Sequence, residues 1–450
     1  MKSNFHEILF KCVPAFIQNV LISIKGLIQN KQRYKGVYER YLDIYSTRDN
    51  TDLEIKNIQT DELIAFVNYA CKHSSFYRKL YSNIDIAELD IDNIDILPIV
   101  TKEDLRRNIK DVYTIKSGIR SFTGGTTGKS LEVIFTKEDF QKRMAYLDAF
   151  KIKLGCDPHN ARKATFSGRH FSSIYFFDRN VFWRNNFAYN QRLYSTFELT
   201  PGNIPHYIKN LNEYKPNQIN GFVSAIYILS KYINEKSIEL KFVPDGIFTT
   251  SETLTEFHKI EIERAFNCRV YNQYASAEGA PFITECSEYS LHYNLDTGVI
   301  EMDPDSGEII VTSFTSHGTP LIRYKIGDKI KMSGRKCNCG SCHPVVDSIE
   351  GRMVDYLQSP EGKVVSSSHM SDVIKGIPNS VINVQFVQDK TDHLNINLVV
   401  DKNEFKDYHK EKIINALIDR FGKEMKYTFG FFSSLPLEKS GKIPFIKSLL

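Results

Sequence analysis

The chain has 450 residues, 42% of them hydrophobic and 25% charged, the make-up of an ordinary soluble globular protein long enough for two or three separate cores. A net charge of +4 is too small to imply a nucleic-acid partner. Eight cysteines without a framework pattern argue against disulfides and for a reducing, cytoplasmic setting.

In chain order, the first pattern is apolar. The segment from Cys12 to Ile24 lies between Lys11 and Lys25 and contains Gln18 and Asn19, so it is too short and too polar to span a bilayer. No small-residue cleavage site follows it, which argues against a secretory signal. Ile17, Val20, Leu21, Ile24 and Leu27 recur at helical spacing after Pro14. This predicts a helix packed on the protein's own body, with a peripheral membrane or partner contact as the alternative.

From about residue 115 to 350, helical patterns alternate with short β-rich runs, which predicts α/β architecture. The stretch Ser121-Phe122-Thr123-Gly124-Gly125-Thr126-Thr127-Gly128-Lys129 lies between two such runs. Its glycines let successive N–H groups turn toward an anion, its hydroxyls donate hydrogen bonds and its lysine adds charge, so it suits a polyphosphate. Thr123 stands where a Walker sequence needs glycine, and a polar hairpin turn between Ile119 and Leu131–Phe135 is the equal alternative.

Thr136-Lys137-Glu138-Asp139 reads as a capping box opening a helix to Gly155, and Thr253-Leu254-Thr255-Glu256 as another, for a helix through Phe266. A strand over Arg269–Tyr274 follows, so Tyr274 and Glu278 fall at a strand's C-terminal end, where α/β folds bind ligands. The aromatic-rich middle, including His170, Phe171, Tyr175, Phe176, Phe177, Phe182, Trp183 and Tyr194, reads as core, with the lining of an acid pocket as the alternative.

Cys337-Asn338-Cys339-Gly340 supplies two thiolates, and Cys286 with His292 a thiolate and an imidazole. Two short pairs of soft ligands suit a closed tetrahedral Zn²⁺ site with a structural role. Cys342 and His343 are rival ligands, and a loop of reduced cysteines without metal is the plainer reading. The domain boundary is predicted near Gly351-Arg352. Beyond it, strands at Ile382–Val387 and Leu394–Val400, a helix over Glu404–Phe421 and a strand before Leu435-Pro436 make a small α+β module.

Four of these segments, in order, resemble the adenylate-forming ligase superfamily. The Ser/Thr-Gly loop resembles its phosphate loop, Tyr274-Ala275-Ser276-Ala277-Glu278 its Tyr-Gly-x-Thr-Glu segment, Arg323-Tyr324-Lys325-Ile326-Gly327-Asp328 its Arg-Tyr-x-x-Gly-Asp segment, and Ser440-Gly441-Lys442 its C-terminal lysine motif. The segment Tyr34 to Arg40, Asn220-Gly221-Phe222-Val223-Ser224 and the Cys/His set make the chain most similar to phenylacetate-coenzyme A ligase and its capsule-associated, CapK-type relatives. The resemblance implies a large N-terminal adenylation domain over 1–351, with a helical start and a zinc-binding insertion, and a mobile C-terminal domain over 352–450.

It also implies roles. Thr123, Gly124, Gly125, Thr126, Thr127, Gly128 and Lys129 would hold the ATP phosphates, Tyr274 would lie by the nucleotide, Glu278 would bind Mg²⁺ and Asp328 would accept the ribose hydroxyls. Lys442 would contact the carboxylate and α-phosphate, while Arg323 and Arg352 would face the nucleotide or pair with a surface acid. Ala277 departs from the family's threonine, so a hydroxyl there comes from Ser276 or is absent, and Val354 occupies the hinge position where an acid or lysine is common. The implied activity is ATP-dependent activation of a small carboxylic acid and its transfer to a thiol such as coenzyme A, or to an amine, in surface-polysaccharide synthesis. An amide-forming ligase and a zinc-stapled binding protein without turnover are the alternatives.

Overall fold

A computed structural model describes residues 10, 12–48, 51–122, 131–169, 171, 175, 178, 180–350, 356–366, 369–370, 373, 380–433, 435 and 445–450. The α/β expectation holds. Its centre is a six-stranded sheet of β3 (Lys163–Ser167), β4 (Trp183–Asn186), β5 (Gln191–Ser195), β6 (Gln218–Phe222), β7 (Gly246–Thr250) and β8 (Val270–Tyr271) in the order β4-β5-β3-β6-β7-β8. All neighbours pair in parallel except β4 with β5. Helices Ile204–Tyr214, Val223–Glu235 and Glu256–Phe266 bury Tyr207, Leu211, Ile226, Leu229 and Ile262 against it, the covering that a parallel sheet requires. Tyr194 stacks on Phe166, and Phe182 on Tyr207, so these aromatics are core.

Around this sheet lie the hairpin of β1 (Ile119–Phe122) and β2 (Glu132–Phe135), a three-stranded sheet of β12 (Gly298–Met302), β13 (Ile309–Ser313) and β14 (Tyr324–Lys325), and a five-stranded sheet. The last contains β9 (Gln273–Tyr274), β10 (Ile283–Glu285), β11 (Leu291–Tyr293), β15 (Lys329–Met332) and β16 (Val345–Glu350). The expected strand over 269–274 is broken at Asn272, so Val270–Tyr271 belongs to the central sheet and Gln273–Tyr274 to its neighbour. Residues from 356 onward build a separate core from the antiparallel pair β17 (Tyr356–Gln358) and β18 (Val364–Ser366) and a sheet ordered β21 (Lys426–Phe431), β20 (His393–Val400), β19 (Val381–Lys390) and β22 (Ile446–Ser448), packed with helix Asp407–Phe421. Sequence periodicity missed β22, which is only three residues long.

The Thr136 capping box forms as expected, opening Lys137–Lys153. The second cap is displaced: Thr255, not Thr253, caps Glu256–Phe266 by accepting from His258 N.

The N-terminal helix requires a correction. It forms over Ala15–Arg33 and lies on the protein's body, but its buried residues are Ala15, Gln18 and Gly26, while Phe16, Val20, Leu21, Ile24, Leu27 and Ile28 are exposed. The reason is the surface it covers. β4 is the edge of the central sheet and carries the buried Arg184, so its outer N–H groups need acceptors. Asn19 Oδ1 accepts from Asn185 N at 2.8 Å, Ser23 Oγ from Phe187 N at 3.0 Å, and Gln18 Oε1 from the Arg184 guanidinium. A Cβ at Gly26 would lie 2.5 Å from Asn186 Oδ1, so glycine permits the close approach. No helix among the described residues is long and apolar enough to cross a membrane.

Candidate active site and metal centre

The phosphate-loop residues Thr123, Gly124, Gly125, Thr126, Thr127, Gly128 and Lys129 lie outside the described residues, as do Arg352, Val354 and Lys442. The two strands that carry the loop are described: Phe122 faces Glu132 in the antiparallel register of β1 and β2.

Two separated motifs meet. Tyr274, the last residue of β9, donates its hydroxyl to Asp328 Oδ2 at 2.8 Å. Burial, with Asp328 beside it, holds this phenol well above its ordinary pKa, so it stays a donor. Asp328 follows Gly327, whose φ of +90° makes the turn between β14 and β15 and suits glycine.

The segment after Tyr274 is fixed from several sides. Ser276 Oγ accepts from Gly279 N at 3.1 Å and from Ala280 N at 2.9 Å, which occupies both lone pairs and leaves its proton to donate. Glu278 is buried, with Lys102 Nζ 3.9 Å from its Oε1. Lys102 opens the helix Lys102–Arg107, and this helix is held beside the Arg323–Lys325 segment because Val100 exchanges backbone hydrogen bonds with Arg323 and Lys325. Sequence reasoning missed Lys102. The Thr101–Asp104 capping box signals the helix start, but nothing local signals a partner 176 positions away.

Arg143 was also missed. Its side chain is buried: Nη1 donates to Gly279 O at 2.8 Å, Ala280 O at 3.1 Å and Thr315 Oγ1 at 3.0 Å, and the guanidinium lies over the Phe282 ring at 4.3 Å. Burial lowers its pKa to about 10, so it remains a cation at neutral pH. The available signal was phase: Asp139, Arg143, Tyr146 and Phe150 share one face of Lys137–Lys153, and all are buried. From the same face Asp139 accepts from His317 N at 2.9 Å, tying down the loop after β13.

Of the two readings for Arg323, an acid partner is the one the structure holds. Its Nε and Nη2 form a two-pronged pair with Glu301 at 3.1 and 2.7 Å, and Nη1 donates to the carbonyls of Asp95 and Leu97. Glu301 is largely enclosed rather than a surface acid, and Arg323 itself has φ +42°. Its side chain therefore braces the start of the motif while its backbone leads toward Asp328.

The four expected metal ligands converge. Cys286 Sγ, His292 Nε2, Cys337 Sγ and Cys339 Sγ lie within 4.8 Å of one another, among the described residues. Antiparallel pairing explains it: β10 ends just before Cys286, Thr284 faces His292 in β11, and His292 faces Val345 in β16, whose preceding loop carries Cys337 and Cys339. Cys286 Sγ and Cys337 Sγ are 3.7 Å apart, and Cys339 Sγ and His292 Nε2 are 3.3 Å apart. Zn–S bonds of about 2.3 Å in a tetrahedron give S···S edges of about 3.8 Å, so the set fits a zinc ion. His292 Nδ1 lies 2.8 Å from His343 O, which orients the ring with Nε2 toward the thiols. Glu288 N donates to Cys286 Sγ at 3.3 Å. The rival His343 turns elsewhere, with Nε2 3.5 Å from Asp296 Oδ2, and Cys342 stands outside the four-residue group.

The segment Tyr34–Arg40 docks on the same scaffold, with Tyr38 Oη donating to Asp148 Oδ2 at 2.9 Å. Among the described residues, those after 356 meet the end of the central sheet at several points: Thr196 Oγ1 lies 2.6 Å from His369 Nε2, the His369 ring packs on Phe222 of β6, the Arg420 guanidinium covers Phe197 at 5.2 Å, and Lys363 Nζ lies 3.6 Å from Glu198 Oε2.

Comparison with known proteins gives consistent relatives. Residues 357–449 match the family described as the CapK C-terminal domain. The whole chain is similar to protein CapK of Staphylococcus aureus, 37% identical over 438 residues that span 95% of this chain and 96% of that one. Phenylacetate-coenzyme A ligase of Thermus thermophilus is 21% identical over 439 residues, 87% of this chain and 94% of the relative. In fold, the chain is similar to a crystal structure of 2-hydroxyisobutyryl-CoA ligase in complex with 2-HIB-AMP and CoA. That likeness has a TM-score of 0.55 and 16% identity over 90% of this chain and 91% of that one.

Proposed function

The chain belongs to the adenylate-forming ligases, in the branch of protein CapK, and on that premise we propose that it uses ATP to activate a carboxylic acid as its acyl-adenylate. A carboxylate oxygen attacks the α-phosphorus, the bond to the bridging oxygen breaks and pyrophosphate leaves. A thiol or amine then attacks the acyl carbon and AMP departs.

The observation that carries this reading is the meeting of Tyr274, Glu278 and Asp328 from two distant motifs around one strand end. Asp328, held by the Tyr274 phenol, presents a fixed acceptor to ribose hydroxyls. Glu278 would hold Mg²⁺, which offsets charge on the phosphates, and Lys102 lies close enough to balance the carboxylate. Thr123–Lys129 would take the phosphates, and Lys442 would stabilise charge at the reacting carboxylate and α-phosphate; Arg352 would act at the hinge. Zinc in the Cys286, His292, Cys337 and Cys339 set would fasten the 333–344 loop to β10 and β11, a structural task.

Coenzyme A is the acceptor we favour, supported by the likeness to phenylacetate-coenzyme A ligase over most of the chain. The likeness to protein CapK supports a place in surface-polysaccharide synthesis, and eight cysteines without a disulfide-framework spacing support the cytoplasm. ATP–pyrophosphate exchange across a panel of hydroxy, amino, uronic and aryl acids tests the reading; an active acid identifies the substrate class, and no exchange with any acid counts against adenylation. Trapped acyl-AMP consumed by coenzyme A fixes a thioester product, whereas acyl-AMP consumed only by an amine establishes the amide-forming alternative.

A further inference from the structure

The helix Ala15–Arg33 is amphipathic in the reverse sense. Its polar and small side chains face the protein, where Gln18, Asn19 and Ser23 satisfy the edge of the central sheet. Gln141 Nε2 donates to Gln32 O at 3.0 Å, and Asp178 Oδ2 accepts from Ala15 N at 2.8 Å, so both ends are pinned. The rotation of the helix about its axis is thus set by directed bonds.

That rotation turns most large apolar side chains of one face outward, Ile17 remaining partly buried. Phe16 is 65% exposed, Val20 51%, Leu21 46%, Ile24 51%, Leu27 57% and Ile28 60%. Single exposed apolar residues are ordinary, but six on one helical face form a continuous stripe that no described residue buries. A helix of 19 residues is about 28 Å long, and it lies along the body rather than pointing away from it.

Charge identifies the occupant. Lys25, Lys31 and Lys35 are exposed along and beyond the stripe, Arg33 is spent on the rings of Phe140 and Tyr189, and the sequence holds no acid between Glu7 and Glu39. A second copy seated face to face would bring these lysines against their own like, which opposes pairing. An anionic bilayer complements both features: the stripe enters the acyl boundary while the lysines reach headgroup phosphates.

We propose that the exposed face of Ala15–Arg33 is a membrane-surface anchor for anionic phospholipid, holding the protein peripherally with the helix in the plane of the interface. Nothing in this inference depends on the ligase reading. The test is sedimentation of the full chain with vesicles of equal parts phosphatidylcholine and phosphatidylglycerol, and with vesicles of phosphatidylcholine alone. Wild type should partition onto the anionic vesicles at least about tenfold more strongly than onto the neutral ones, and lose this preference in high salt. The double variant Val20→Glu/Ile24→Glu should lose binding by about 100-fold or more. Because both positions face solvent, its circular dichroism and its urea midpoint should match wild type within about 0.5 kcal/mol. Failure of wild type to bind anionic vesicles overturns the proposal, as does equal binding by the double variant. A wild-type dimer by light scattering that the double variant dissolves, without vesicle binding, would assign the face to a second copy instead.

Discussion

The Tyr274 hydroxyl and the Asp328 carboxylate are 2.8 Å apart although 54 positions separate them, and this one hydrogen bond joins the two motifs on which the nucleotide reading rests. A carboxylate held by a phenol that burial keeps protonated is a pre-set acceptor for hydroxyl groups.

From this follows a graded pair of variants. Asp328→Ala removes the acceptor itself and should weaken ATP binding by roughly 1–3 kcal/mol. Tyr274→Phe removes only the brace, so its loss should be smaller, about 0.5–1.5 kcal/mol. Glu278→Gln should instead raise the Mg²⁺ needed for half-maximal exchange. Titration calorimetry with ATP at several Mg²⁺ concentrations separates the three, and identical behaviour would remove the division of roles.

Lys442→Ala should lower pyrophosphate exchange by about 100-fold or more, the usual scale for losing an electrostatic transition-state donor. A chemically supplied acyl-adenylate should still be consumed, since attack by the second nucleophile does not need that charge. Exchange within a few-fold of wild type would remove the assignment.

One zinc per chain should copurify. Cys286→Ser or Cys339→Ser should release it and loosen the 333–344 loop, measured by elemental analysis and hydrogen exchange. Cys342→Ser should retain it, because Cys342 stands outside the converging set. Zinc lost from Cys342→Ser but kept in Cys286→Ser would reverse the ligand assignment.

Arg143→Met should destabilise the protein by roughly 1–3 kcal/mol, since the Ala280 carbonyl loses its side-chain donor and the Gly279 carbonyl and Thr315 hydroxyl are left with Ser313 alone. Urea midpoints measure the loss. Exchange should fall with it, because Glu278 adjoins Gly279; a stable variant with native exchange would show that the segment holds itself.

Tyr81 gives a pH test. Its hydroxyl is buried without a hydrogen-bond partner among the described residues, and burial, with Tyr77 nearby, holds its pKa well above the ordinary value. In the unfolded chain a phenol ionises near 10. Above that pH the unfolded state binds fewer protons than the folded one, so stability falls as pH rises past about 10; below it both states are protonated and the contribution is flat. Tyr81→Phe should therefore stabilise by about 1 kcal/mol at neutral pH, and flatten the alkaline loss by roughly 0.8 kcal/mol at half a unit above the free phenol's pKa. Urea midpoints at about pH 8 and about pH 10.5 measure both.

Much of this was legible locally. The Thr136 box opened its helix because a cap and its reciprocal partner lie three residues apart, and alternating helix and strand patterns gave the α/β class. Cysteine and histidine spacing named four ligands, and pairing of β10, β11 and β16 brings those four side chains together. Chemistry carried by residue type and short spacing survives folding unchanged, which is why it can be read early.

Orientation was another matter. The same periodicity that drew the helix at Ala15–Arg33 suggested that its apolar stripe faces inward, and the structure turns it outward. A stripe states only that a helix has two faces; which one the body takes depends on the surface beneath, here a sheet edge whose N–H groups demand acceptors. The partners of Lys102, Arg143 and Glu301 were illegible for a related reason, although the phase of Arg143 marked it as buried. Each of these three residues acquires its role from a partner more than 20 positions away, the spacing of that partner carries no period, and only the packed chain sets the distance between them.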